Sequence, residues 1–80
     1  MNNVVEKALE LDQFGNDIPD IEQGEEIELS EIWDGTGDVP QESWSIQLTD
    51  SDWINYVFDV VEKKDNPLET VIRITEIELI

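Results

Sequence analysis

Residues 53–80 leave this chain few ways to fold. Two runs rich in β-branched and aromatic residues, Trp53-Ile54-Asn55-Tyr56-Val57-Phe58-Asp59-Val60-Val61-Glu62 and Leu68-Glu69-Thr70-Val71-Ile72-Arg73-Ile74-Thr75-Glu76-Ile77-Glu78-Leu79, flank the turn cluster Lys63-Lys64-Asp65-Asn66-Pro67. Apolar runs on either side of a turn cluster spell an antiparallel hairpin with a loop of about five residues. In a chain of 80 residues, long enough for one small core, the expectation is a single domain over 1–80 organised on this hairpin. A domain of this size buries only about 60% of its unfolded surface, so each large apolar side chain carries much of the stability.

The rest of the sequence adds a third strand and a short helix. Trp44, Ile46 and Leu48 alternate with Ser45, Gln47 and Thr49, the period-two pattern of a half-buried strand. Asp50-Ser51-Asp52 then connects it to residue 53, giving a three-stranded meander over 43–49, 53–62 and 68–79. The middle strand carries Ile54, Tyr56, Phe58 and Val60 on one face and Trp53, Val57 and Val61 on the other. Apolar residues on both faces lead to the expectation of a central strand covered on both sides. In the last strand Ile72 and Ile74 share one parity and Ile77 and Leu79 the other, which calls for a bulge near Thr75-Glu76.

Upstream, Glu26 and Glu28 alternate with Ile27 and Leu29, a strand over 25–33 whose pattern fails near Ser30 and there ends or bulges. Residues 2–13 are expected to form a helix capped by Asn2 or Asn3, with Val4, Val5, Ala8 and Leu9 inward and Gly15 as its stop. Gly15, Pro19 and Gly24 mark a loop in which Ile18 and Ile21 tuck against the core. The fold class is therefore α+β or mainly β: a small antiparallel sheet of about four strands with one short N-terminal helix.

Acidity dominates the functional reading. The chain holds 21 Asp and Glu against 4 Lys and Arg, a formal net charge of −17. Its hydrophobic content of 39% is too high for a disordered acidic tail. Residues 1–40 carry −11 and residues 41–80 carry −6, and no basic residue interrupts the acids from Asp17 to Asp38. Solubility asks for a net charge of magnitude about 2–8, and the further charge opposes compaction through self-repulsion. Direct binding to nucleic acid or an anionic membrane needs basic patches and is disfavoured. The N-terminus has no basic segment followed by an apolar one, and no run approaches a transmembrane span, so the expectation is a soluble cytoplasmic protein.

Catalysis is not expected. The chain has no His and no Cys, which removes the commonest general base, nucleophile and soft metal ligands. Asp34-Gly35-Thr36-Gly37-Asp38 and Asp50-Ser51-Asp52 are oxygen-rich loops of the kind calcium prefers, but neither has the twelve-residue EF-hand spacing, and Asp and Gly are ordinary turn residues. No cofactor or metal is assigned. Of the three tryptophans, Trp44 and Trp53 are read as core, and Trp33, beside the Gly-rich loop, as a partly exposed anchor.

These observations favour a binding protein that mimics nucleic acid. Alternate residues on a strand lie about 6.7 Å apart, so Glu26/Glu28 and Glu76/Glu78 present paired carboxylates at a regular short spacing. The candidate partner-binding residues are Asp20, Glu22, Glu25, Glu26, Glu28, Glu31, Trp33, Asp34, Asp38, Glu76 and Glu78, and the partner is a basic nucleic-acid-binding protein or nuclease. In size, acidity and lack of cysteine the chain resembles small phage inhibitors of host defence, the anti-restriction and anti-CRISPR proteins. One alternative is an immunity protein or antitoxin that neutralises a basic nuclease toxin through aromatic anchors. A second is a calcium-binding or structural accessory module.

Overall fold

The structure, a computed structural model, describes residues 3–16 and 18–80. These residues form one helix, α1 (Asn3–Leu11), and four strands: β1 (Glu26–Glu28), β2 (Ser43–Gln47), β3 (Trp53–Glu62) and β4 (Val71–Leu79). The strands form one antiparallel sheet in the order β1-β4-β3-β2, so the C-terminal hairpin occupies the centre and β1 and β2 the edges. The fold is a small α+β fold, as the sequence pattern anticipates.

The bulge near Thr75 is present and sets the packing. Val57 pairs with Glu76 but the next residue, Phe58, pairs with Ile74, leaving Thr75 as the extra residue. A one-residue slip exchanges the faces of a strand, so Thr75 brings Ile77 to the same face as Ile72 and Ile74. All three are buried. Opposite them on β3, Ile54, Tyr56 and Phe58 are buried too. A second irregularity leaves Val61 unpaired between Val60–Ile72 and Glu62–Val71, near the end of β3, where Val60 and Val61 are exposed.

One face of the sheet is covered, not two. Helix α1 places Val5 and Ala8 in the core, with Val4 and Leu11 packed against it. Ile18 and Ile21 fill the same side from the following loop, as expected. Leu9, expected to face inward, is exposed: the buried stripe runs through Val5 and Ala8, three residues apart on one face of the helix. The opposite face of β3 carries Trp53, Asn55, Val57 and Asp59, and no described element covers it. The two-sided cover and the core placement of Trp53 are thus both overturned, since Trp53 is 38% exposed. Asn55 and Asp59 in that register already mark a face turned to water.

The element ends differ from the sequence expectation for local reasons. Asn2, one of the two proposed caps, lies outside the described residues. The expected strand over 25–33 stops at Glu28, where a 3₁₀ turn, Leu29–Glu31, sends Leu29 into the core while its N–H donates to Thr70 O at 2.9 Å. This turn stands where alternation fails at Ser30. The last strand begins at Val71 rather than 68 because Pro67 opens another 3₁₀ turn, Pro67–Glu69, whose cap Asn66 accepts from the Leu68 N–H. Strand β2 ends at Gln47, two residues early, and Leu48 and Thr49 are buried in the turn. There the Thr49 hydroxyl donates to Asp52 at 2.6 Å and accepts from the Asp52 N–H.

Tyr56 contains the one buried side-chain polar atom among the described residues that lacks a hydrogen-bond partner, its hydroxyl. Burial pushes its pKa up to about 12. Ionised tyrosine is thus disfavoured in the folded state, and the unfolded chain releases the proton first, near pH 10. The stabilisation tied to the neutral ring is complete below that pH and is lost as pH rises to about 12, up to about 3 kcal/mol. Removing an unsatisfied buried hydroxyl relieves a penalty of about 1–3 kcal/mol. Denaturant melts across the alkaline range should therefore show Tyr56→Phe more stable than the wild type by about 1 kcal/mol at pH 8, with the gap widening above pH 10.

Candidate partner-binding surface

The acidic residues singled out from sequence separate into two groups. Glu26, Glu28, Glu76 and Glu78 lie on the uncovered face of the sheet, where the outward positions of β1 alternate with buried Ile27. Glu26 pairs in register with Arg73 and Glu28 with Val71, so the four glutamates run along the β1–β4 side of one surface. Glu26 and Arg73 form an ion pair at 2.6 Å, and Asp59 stands across from Arg73 on β3. A polar chain crosses three strands beside them: Ser45 Oγ donates to Asn55 Oδ1 at 2.8 Å, and Asn55 Nδ2 donates to Glu78 Oε1 at 3.3 Å. Trp53 and Val57 supply the apolar part of this face.

Glu31 and Asp34 belong elsewhere. After β1 the chain passes beneath the sheet toward the opposite edge, and these two acids come to rest beside β2. Asp34 caps its own turn: its carboxylate accepts the Thr36 hydroxyl at 2.7 Å and the Thr36 N–H at 3.0 Å. These hydrogen bonds, the hydroxyl's first, hold its pKa below the usual carboxylate value. Asp20, Glu22 and Glu25 lie exposed in the loop before β1, and Glu25 accepts the Glu22 N–H at 2.6 Å. Asp38 is exposed in the loop before β2. Among the described residues no three Asp or Glu side chains converge in a way that holds a metal ion.

Trp33 is a correction. Expected to be partly exposed, it is buried, at 4% exposure. The loop that suggested exposure is what permits burial: it folds back so that Thr36 O accepts the indole N–H at 2.9 Å. Gly35, at φ +91°, makes that reversal available to the backbone. Trp33 meets the half-buried Trp44 edge to face, with centroids 6.5 Å apart at 70°, a favoured aromatic geometry. Trp33 cannot be a surface anchor. The exposed tryptophan is Trp53.

Asn55 and Asp59 are additions to the sequence-derived surface. Their signal was the parity they share with Trp53 and Val57 on β3. Lys63 and Lys64 stand at the far end of the hairpin, beside Val39, Pro40 and Val60 around a cavity of about 320 Å³. The Lys64 ammonium donates to Glu62 at 2.8 Å, and that hydrogen bond and charge raise its pKa. Apart from Arg73, the outward face is therefore acidic, polar or apolar.

No family model, curated protein or solved structure matches this chain. The surface stands on its own chemistry. Truncating buried Trp33 should cost about 3–5 kcal/mol and truncating Trp53 less than about 1 kcal/mol. Urea unfolding of Trp33→Ala and Trp53→Ala measures both values.

Proposed function

We propose that this protein is a small acidic inhibitor that occupies the basic groove of a nucleic-acid-binding protein, as a mimic of nucleic acid. The observation that carries the reading is the uncovered sheet face. Glu26, Glu28, Asp59, Glu76 and Glu78 share it with one basic residue, Arg73. A β-sheet holds alternate side chains at a fixed spacing, so these carboxylates reach a partner with little further ordering. The whole-chain charge of −17 extends the same field and speeds encounter with a basic target. No described helix is long and apolar enough to cross a membrane, and the proposed setting is the cytoplasm. The type of protein is that of the phage anti-restriction and anti-CRISPR inhibitors.

A second reading, an immunity protein or antitoxin against a basic nuclease, draws on Trp53. This tryptophan lies on the acidic face and is 38% exposed, the kind of residue that anchors specific interfaces.

Affinity capture from nuclease-treated bacterial lysate supplies the partner, and titration then separates the readings. For the mimic, affinity falls at least about tenfold between roughly 50 and 200 mM salt, duplex DNA or RNA competes, and Glu76→Lys with Glu78→Lys weakens binding sharply. For the immunity protein, Trp53→Ala abolishes binding while the lysine pair has a small effect. Binding that ignores salt and is not displaced by nucleic acid contradicts mimicry.

A further inference from the structure

The edge strand β2 has backbone groups free to pair. Phe58 N–H donates to Glu42 O at 2.9 Å and Leu48 N–H to Asp52 O at 2.8 Å. In an antiparallel pair, bonded and non-bonded positions alternate. With Trp44 opposite Tyr56 and Ile46 opposite Ile54, Trp44 and Ile46 therefore point their backbone groups at β3. Ser43, Ser45 and Gln47 point theirs outward. Gln47 O is taken by the Asn16 side chain at 2.6 Å, and the next residue, Leu48, accepts the Gln13 N–H at 2.7 Å. The loop after α1 thus seals one end of the edge. Among the described residues nothing pairs with the outward groups of Ser43 and Ser45.

A groove of about 370 Å³ runs along this edge. Its lining includes Trp44 and Ile46 from the strand and Ser30, Glu31, Trp33 and Asp34 from the segment after β1. Exposed edges are ordinarily blunted by Lys, Pro or a bulge. The segment Ser43-Trp44-Ser45-Ile46-Gln47 contains no Lys and no Pro, and its register with β3 is unbroken. The charged residues lining the groove, Glu31 and Asp34, are both acidic.

We infer that β2 accepts an extended, basic segment of a partner protein as a fifth strand of the sheet. Main-chain hydrogen bonds to Ser43 and Ser45 supply the pairing, as in other cases of strand addition. Alternate side chains of the guest enter the groove, apolar ones resting on Trp44 and Ile46 and Lys or Arg meeting Glu31 and Asp34, while the residues between them stand on the opposite face of the sheet. A second copy of this chain is disfavoured as the guest, since each copy carries −17 and like charges oppose association. The inference is independent of nucleic-acid mimicry, which concerns the outward face rather than this edge.

The probe is a synthetic peptide of about seven residues with threonine at alternate positions and valine and lysine in turn at the others, so that valine and lysine share one face; the control carries glutamate in place of lysine. The readout is amide hydrogen exchange by NMR. The lysine peptide should slow exchange at the Ser43 and Ser45 amides by about tenfold or more, and the glutamate peptide should not. Ser45→Pro removes an outward N–H and should abolish this protection at Ser43. Ser43→Pro, at the first residue of the strand where proline is best tolerated, should weaken peptide binding without disturbing the ladder. Ser45→Ala keeps the N–H and should bind as wild type. Lysine peptide that leaves both amides unprotected, equal binding of the two peptides, or protection that grows with protein concentration alone overturns the inference.

Discussion

The pairing of β3 with β4 is the interaction on which the rest of this molecule depends. It brings Ile54, Tyr56 and Phe58 into one layer with Ile72, Ile74 and Ile77. That layer is what α1, Ile18, Ile21 and Leu29 have to pack against. The register holds because Thr75 is bulged out. Were Thr75 paired in regular alternation, Ile77 and Leu79 would turn to water and Glu76 and Glu78 toward the core, and burial of an unpaired carboxylate is prohibitive. One bulge therefore sets both the core and the acidic face. A small domain has no spare apolar surface with which to correct a slip.

The acidic surface follows from the same constraint. With three layers of structure out of reach for 80 residues, the sheet can be covered on one side only, and its other side must carry charge or polar groups to stay in solution. Here nearly all of that charge has one sign. Among the described residues, Arg73–Glu26 and Lys64–Glu62 are the ion pairs within 4.0 Å, both exposed and each worth little in stability. The remaining carboxylates repel one another, and the apolar core must outweigh that repulsion. A target lined with Lys and Arg would relieve it, which couples the cost of the charge to the proposed function.

Much of the fold was legible in the sequence, and the misses have physical causes. The hairpin, the bulge at Thr75, the break at Ser30 and the tucked Ile18 and Ile21 follow from parity and turn chemistry, both local rules. The open face of β3 is not legible because Trp53, Val57 and Val61 resemble a buried row, and a single strand does not say how many layers surround it. Asn55 and Asp59 in the same row held the answer. The burial of Trp33 is not legible because its hydrogen-bond partner, Thr36 O, arises from a loop conformation that composition does not reveal. The separation of Glu31 and Asp34 from Glu26, Glu28, Glu76 and Glu78 depends on where the chain crosses beneath the sheet, which is a tertiary fact.

On the proposed function, the acids of this small sheet act as one field rather than as scattered solvated groups. The thermal midpoint measured as a function of sodium chloride tests it most directly, because screening acts on unpaired like charges within about a Debye length of each other, roughly 10 Å at 0.1 M. The midpoint should rise steadily from about 0.01 M to about 1 M salt, as the Debye length shrinks from about 30 to about 3 Å. A midpoint that stays flat or falls over that range would contradict the account.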